Sequence, residues 1–252
     1  MKKVFLLYIL FITLSISCMA QDKSTETLKQ FWFAYNNQTR FSKRWGAWLD
    51  IHLRTKDNFF SDLSQFIFRP GITYYLNDLT KITAGYAYVR HFPADNDIEV
   101  AQPEHRIWQQ LQWHTNYKKV KTMQWLRLEE RYRREIVNDS TLGDDYNFNF
   151  RARYNFLLQV PLSKGAPSKG DFSFILNDEI HVNFGKKIVY NYFDQNRFFA
   201  GFAYHVNSHD NLQFGYLNVF QQLSAGNKYR IIHAGRIFYF HNLDLSSKKS
   251  RL

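Results

Sequence analysis

The feature that most constrains this chain is a strict alternation of apolar and polar side chains along residues 146–162, YNFNFRARYNFLLQVPL. Every even position is apolar or aromatic, and most odd positions are polar, including Arg151 and Arg153. Successive side chains of a β-strand point to opposite faces, so the pattern predicts one long strand. Soluble strands usually have about 5–6 residues, whereas membrane-spanning strands need about 9–11. The alternation therefore favours a membrane-spanning strand, with its even residues towards lipid and its odd residues towards a polar interior.

The composition is compatible with this interpretation. The chain of 252 residues contains 24 Phe, 16 Tyr and 6 Trp, yet its mean hydropathy is negative. A transmembrane β-barrel combines these properties because half of each strand is polar. A large soluble β protein combines them as well, so composition alone does not separate the two classes.

The N-terminus predicts export. Lys2 and Lys3 precede an apolar run over residues 4–16, and the small residue Ala20 follows. This is the layout of a secretory signal peptide over residues 1–20, and the apolar run is too short for a membrane-spanning helix. We expect cleavage after Ala20 and localisation in the outer membrane of a Gram-negative bacterium.

A second interpretation of the N-terminus stays open. The stretch LSISC loosely resembles a lipoprotein cleavage site, which would make Cys18 a lipid-anchored N-terminus, although Ser15 fills the position that usually holds Leu. Beyond this segment, no linker or low-complexity block divides the chain. Residues 21–252 are therefore predicted to form a single domain, with strands over about 31–244.

The net charge of +11 indicates an anionic partner. For an exported chain we expect outer-membrane lipids and lipopolysaccharide, and no nucleic acid, while arginines that line a lumen would also account for the charge. The barrel-assembly machinery is the expected partner for insertion. The oligomeric state stays open.

Alternation predicts an all-β fold, an antiparallel up-and-down transmembrane β-barrel of about 10–12 strands. Eleven strand-like segments are found, at 31–41, 45–56, 63–76, 80–92, 104–117, 121–135, 146–162, 171–185, 193–207, 210–223 and 228–243. Single-chain bacterial barrels normally have an even number of strands. Either segment 31–41 is surplus to a ten-stranded barrel, or a twelfth strand is hidden around residues 188–193.

Short and long connections alternate along the chain, as they do in outer-membrane barrels. Tight turns are predicted at 42–44, 77–79, 118–120 and 207–210, and longer loops at 57–62, 93–103, 136–145 and 186–192. Lysine and arginine concentrate in the tight turns, and aspartate and glutamate in the long loops. We expect the tight turns to face the periplasm.

Several stretches resemble a known family. These are QFWFAYNNQTRFSKRWGAWLDIHLR, FRPGITYYLND, TAGYAYVRHF, NDEIHVNFG, FDQNRFFAGFAYHV and FGYLNVFQQ. Over residues 28–244 the chain resembles an uncharacterised family of bacterial outer-membrane proteins, domain of unknown function 2490. The resemblance implies a signal peptide and an outer-membrane barrel, but no activity, substrate or site. The polar tail after Phe240 departs from the aromatic end of many such barrels.

The candidate site is a cluster of ionisable residues on the predicted interior face. Its members are Arg127, Glu129, Arg131, Arg133, Arg151, Arg153, Glu179 and His181. Buried charges need pairing and hydrogen bonds. The cluster is either an anion-selecting constriction or substrate site, or a salt-bridge network that fills the lumen and fixes the strand register.

Signals for catalysis and for metals are weak. His205, Ser208, His209 and Asp210 gather at one tight turn, but without a spacing typical of lipid-modifying enzymes, and Asp178 is unusual on a lipid-facing wall. No catalytic residue, metal ligand or cofactor is assigned. We expect a narrow channel, or a plugged barrel with a structural or envelope-interaction role. A membrane-embedded lipid-modifying enzyme (lipase or lipopolysaccharide deacylase type) and a soluble exported β protein are the alternatives.

Overall fold

Eleven β-strands form one closed barrel in the computed structural model, which describes residues 23–60, 62–93 and 100–246. The predicted signal peptide and Cys18 lie outside the described residues. The strands are β1 (Ser24–Arg40), β2 (Trp45–Thr55), β3 (Leu63–Tyr75), β4 (Thr80–His91), β5 (Gln102–Tyr117), β6 (Val120–Asn138), β7 (Thr141–Pro161), β8 (Phe172–Phe184), β9 (Phe193–His205), β10 (Asp210–Gln222) and β11 (Lys228–Asp244). Across the described ranges, no helix is long and apolar enough to cross a membrane.

The barrel closes through a parallel pair of strands. Each strand from β1 to β10 pairs antiparallel with the next, and β11 pairs parallel with β1, from Ser24 opposite Lys228 to Arg40 opposite Asp244. An odd number of alternating strands can close only if the first and last run in the same direction. The count of eleven lies within the predicted range, but both even-numbered alternatives are wrong: segment 31–41 belongs to the wall, and residues 188–192 connect β8 to β9.

The two faces of the wall differ as the alternation predicts. On β7 the side chains of Arg151, Arg153 and Asn155 are buried inside the barrel, whereas those of Tyr154 and Phe156 are exposed on the outside. Large apolar side chains are exposed on every strand from β1 to β11. Apolar side chains exposed on this scale are unusual for the surface of a soluble monomer and are typical of an interaction surface.

The connections at the two ends of the barrel are less regular than predicted. We call the end with connections 41–44, 76–79, 118–119 and 206–209 the short-turn end, and the opposite end the long-loop end. The predicted loop 136–145 is wrong, because β6 and β7 extend as a hairpin in which only residues 139 and 140 form the turn. Arg134 supports this extension through an ion pair with Asp144 (3.5 Å). A longer connection, 162–171, lies at the short-turn end.

Paired glycines make room for a large aromatic side chain inside the barrel. Gly71 on β3 lies opposite Gly85 on β4, and the buried indole of Trp108 packs over both. A Cβ atom on Gly85 would lie 2.2 Å from the carbonyl oxygen of Pro70 and 2.9 Å from the Trp108 ring. Gly85 therefore leaves no space for a side chain, and at Gly71, where an added Cβ would lie 3.0 Å from its nearest neighbours, space is tight.

Candidate functional site: the barrel lumen

Glu129 is the centre of one group of charges in the lumen. Arg151 lies directly opposite it on β7 and donates hydrogen bonds from Nε (2.9 Å) and Nη2 (2.5 Å) to Glu129 Oε2. Arg153 donates from Nη1 to Oε1 (2.6 Å). Glu129 has no exposed surface. Hydrogen bonds between a guanidinium and a carboxylate, in which both partners are charged, are stronger than those between neutral groups.

Glu104 is the centre of a second group. Arg106 and Arg131 donate to Glu104 Oε1 at 2.8 and 2.6 Å, and Arg133 donates to Oε2 at 3.1 Å. The Nε2 atom of His91 lies 2.7 Å from the same Oε2. Glu104 has no exposed surface, so the surrounding cations replace its hydration.

Glu179 and Asp194 connect the remaining residues. Glu179 accepts hydrogen bonds from Arg153 and lies 2.8 Å from His181 Nε2. Asp194 accepts a hydrogen bond from Arg151 Nη1 (3.0 Å). The two carboxylates therefore link the Glu129 group to β8 and β9.

All eight residues of the candidate cluster lie inside the barrel. The structure distributes them among these carboxylate-centred groups, and Arg127 lies beside them, 3.9 Å from Glu129. Sequence reasoning missed other members, namely His91, Glu104, Arg106, Asp194 and Arg197. Glu104 and Arg106 occupy inward positions of β5 alongside Gln110 and Gln112, so the same two-residue period could have found them.

Aromatic rings flank the arginines that have fewer acidic partners. The Arg127 guanidinium lies 4.5 Å from the ring centroid of Trp108 and 4.9 Å from that of Trp125. Arg54 lies 3.6 Å from the centroid of Trp32, and Arg197 lies 5.1 Å from the same ring. Cation–π contacts are strongest where water is excluded, so these rings stabilise guanidinium groups within the lumen.

Some of these contacts cross the lumen between strands that are not neighbours. Arg127 on β6 lies 6.0 Å from the ring centroid of Trp48 on β2, and Arg197 on β9 contacts Trp32 on β1. Ion pairs and ring contacts join these two crossings into one continuous series that runs from Arg54 to Trp48, so both of its ends lie on β2. We call this series of contacts the lumen belt; it consists of Trp32, Trp48, Arg54, Trp125, Arg127, Glu129, Arg153, Glu179 and Arg197.

A cavity of about 590 Å³ extends from the lumen belt towards the short-turn end, and all eleven strands contribute to its lining. We call it the vestibule. Its charged lining is unbalanced. The carboxylates are Asp50, Glu179 and Asp244, whereas the cations are Arg40, Arg54, Arg69, Lys81, Lys121, Arg127, Arg153, Arg197 and Arg236. The vestibule is therefore strongly cationic.

The residues considered for catalysis do not form a familiar constellation. His205 Nε2 lies 2.9 Å from the hydroxyl oxygen of Ser173, and Ser173 is fully buried. Asp178 is exposed on the outer wall, where Asn196 Nδ2 donates to both of its oxygens (3.0 and 3.2 Å). In the described ranges, His, Cys, Asp and Glu form no group of three or more that could hold a metal ion.

Comparisons with known proteins identify the family but no activity. The family model described as "Protein of unknown function (DUF2490)" matches residues 29–230. An uncharacterized protein of Methylorubrum extorquens is 27% identical over 165 residues, which cover 64% of this chain and 65% of that protein. No solved structure matches. The resemblance seen in the sequence is therefore confirmed, and the chain belongs to the DUF2490 family.

Proposed function

We propose that this protein is an outer-membrane β-barrel with a sealed lumen, which serves a binding or structural role in the envelope and does not conduct ions. The lumen belt is the observation that carries the proposal. It joins side chains of β1, β2, β6, β7, β8 and β9 into a continuous series of contacts that crosses the lumen from β9 to β1 and from β6 to β2. A barrel of eight strands has an interior that side chains can fill, and one of eleven strands is only moderately wider.

Burial of the carboxylates supports the same conclusion. Glu104 and Glu129 have no exposed surface, and each contacts arginines from more than one strand or position. An open aqueous pore would hydrate carboxylates on its wall. The Arg/Glu-rich lumen is thus better suited to closing the barrel than to passing ions.

The outer wall supports a membrane location. Every strand has 11 residues or more, which is enough to cross a bilayer at the tilt of a barrel strand. Apolar side chains such as Ile107, Leu126 and Phe202 are exposed on this wall. Lys43, Arg44, Lys118 and Lys119 lie at the short-turn end. We assign this end to the periplasmic side because most of its turns are short.

Cell fractionation tests the location. We expect the protein in the outer-membrane fraction of a density gradient, resistant to extraction by alkaline carbonate. Its mobility in a denaturing gel should also change on boiling, as expected of a closed barrel that resists detergent until it is heated. Release in the periplasmic fraction without detergent would contradict the proposal and support a soluble exported β protein.

A further inference from the structure

Three arginines surround Trp32 at the floor of the vestibule. Trp32 on β1 lies opposite Arg54 on β2 and opposite Arg236 on β11, so one row of paired positions crosses the parallel seam. Arg197 reaches the same indole ring from β9. Arg236 is buried between the rings of Phe199 (4.0 Å to the centroid) and Phe238 (4.2 Å). The fold therefore concentrates positive charge around one ring.

These arginines lack matching carboxylates. Within the described part of the chain, neither Arg54 nor Arg236 has a carboxylate oxygen within 4.0 Å. Arg197 lies 3.8 Å from Glu179, but Glu179 also binds Arg153 at shorter range. Burial of a cation without an opposite charge is costly. A bound anion would remove that cost.

Unused hydrogen-bond donors accompany the excess charge. The buried Nε atoms of Arg54, Arg69 and Arg236 and the indole Nε1 of Trp48 have no hydrogen-bond partner among the described residues. All four residues line the vestibule. The unpartnered oxygens that line the same cavity are fewer, namely Asp50 Oδ1 and Asn155 Oδ1. Buried polar atoms are nearly always hydrogen-bonded in native proteins, so this excess of unused donors points to a missing acceptor.

The vestibule is also too large and too apolar for a small inorganic anion alone. Trp32, Leu217 and Phe238 line it beside the arginines, and about 590 Å³ lies within the usual range for small-molecule sites, roughly 300–1,000 Å³. We propose that the vestibule binds an organic anion, with its carboxylate, sulfonate or phosphate group on Arg54 and Arg236 and its apolar body against Trp32 and Phe238. This inference deepens the proposed binding role and rests on it.

The test uses the full-length protein, folded in an uncharged maltoside detergent, and isothermal titration calorimetry. The probes are naphthalene-2-sulfonate, its neutral analogue 2-naphthalenemethanol, and inorganic sulfate. We expect saturable 1:1 binding of the sulfonate, at least about tenfold tighter than either of the other probes, since each lost charge-assisted contact is worth on the order of a factor of ten. Equal affinity for the alcohol, or for sulfate, would overturn the proposal without any variant.

Variants locate the site. Arg54→Gln and Arg236→Gln should each weaken sulfonate binding about tenfold, because each removes one guanidinium from the anion. Arg230→Gln is the matched control, since Arg230 pairs with Glu26 and lies outside the vestibule lining. It should leave the affinity unchanged. Unchanged binding in both vestibule variants, with the heat-dependent gel mobility of a folded barrel, would overturn the proposal.

The outcome is separable from that of the sealed-barrel proposal. A protein that binds no sulfonate and gives no current steps in a lipid bilayer lacks the anion site and retains the sealed lumen. A protein that conducts ions and binds the sulfonate with the expected variant pattern retains the site and lacks the seal.

Discussion

Glu129 holds two guanidinium groups in a part of the lumen that solvent does not reach. Glu129→Gln removes the negative charge and leaves Arg151 and Arg153 with one fewer partner each. Breaking a buried pair by removal of one partner typically costs about 3–5 kcal/mol. We expect a loss of this size in the free energy of unfolding, measured by urea titration of the protein folded into lipid vesicles.

The matched control is Glu26→Gln. Glu26 pairs with Arg230, and its side chain is 46% exposed, so solvent screens the pair. Exposed pairs are worth about 0–1 kcal/mol. Similar losses in the two variants would contradict the view that the Glu129 group is a dry network.

Gly85 lies opposite Gly71 in the ladder and directly against the ring of Trp108. Gly85→Ala places a methyl group against the carbonyl oxygen of Pro70, which belongs to the backbone and cannot move aside cheaply. Overpacking of this kind costs about 1–3 kcal/mol or more. We expect a lower unfolding midpoint in urea. Gly165→Ala is the control, because an added Cβ there meets no described atom within 4 Å, and it should leave the midpoint unchanged.

For a single residue, the sequence predicts which side of the barrel wall its side chain occupies, but not which side chain it contacts. The two-residue period placed Arg151 and Arg153 in the interior because it depends only on strand geometry. The contact between Arg127 and Trp48 joins β6 to β2, and it depends on barrel curvature and strand count. Alternation contains neither quantity, so the lumen belt and the unpaired Arg54 were not predictable from it.

The parallel pairing of β1 with β11 is the least expected element of the fold. In a ten-stranded barrel with segment 31–41 left out, β2 would pair with β11 instead. Phe33 and Ile237 are opposite each other in the observed register. In a Cys18→Ala background, Phe33→Cys with Ile237→Cys should form a disulfide under mild oxidation, because neighbouring strands lie about 4.8 Å apart and disulfides need Cα separations of about 4.4–6.8 Å.

The control pair is Phe33→Cys with His241→Cys, which is offset by four residues along β11. At about 3.3 Å per residue this pair is too far apart to cross-link. A disulfide in the offset pair and none in the in-register pair would rule out the observed seam. The sequence located all eleven strands but not this seam, since a strand's alternation is the same whether its neighbour runs parallel or antiparallel.

The extended hairpin of β6 and β7 shows the same limit. The polar character of residues 136–145 predicts a loop. In the structure these residues continue the antiparallel pairing of β6 with β7 beyond the region where apolar and polar side chains alternate. Outside a membrane, a strand can be polar on both faces. The hydrophobic pattern therefore marks the end of the apolar wall, not the end of the strand.

For the whole molecule, the odd strand count places the start of β1 and the end of β11 at opposite ends of the barrel. The vestibule opens towards the end where β11 finishes, since Asn242, Leu243 and Asp244 are part of its lining. With the short-turn end on the periplasmic side, the proposed anion site faces the periplasm. The lumen belt then lies between the interior of this site and the long-loop end of the barrel.

The most direct test of the sealed lumen is ion conductance in a planar lipid bilayer, with the refolded protein and with a variant that breaks the lumen belt. We expect the wild-type protein to insert and to give no discrete current steps. The double variant Trp48→Ala with Arg127→Ala, which removes the contact between β2 and β6, should give small current steps. These steps also show that the protein inserts into the bilayer under the conditions used. Discrete steps from the wild-type protein, of the same size as those of this variant, would contradict the sealed lumen.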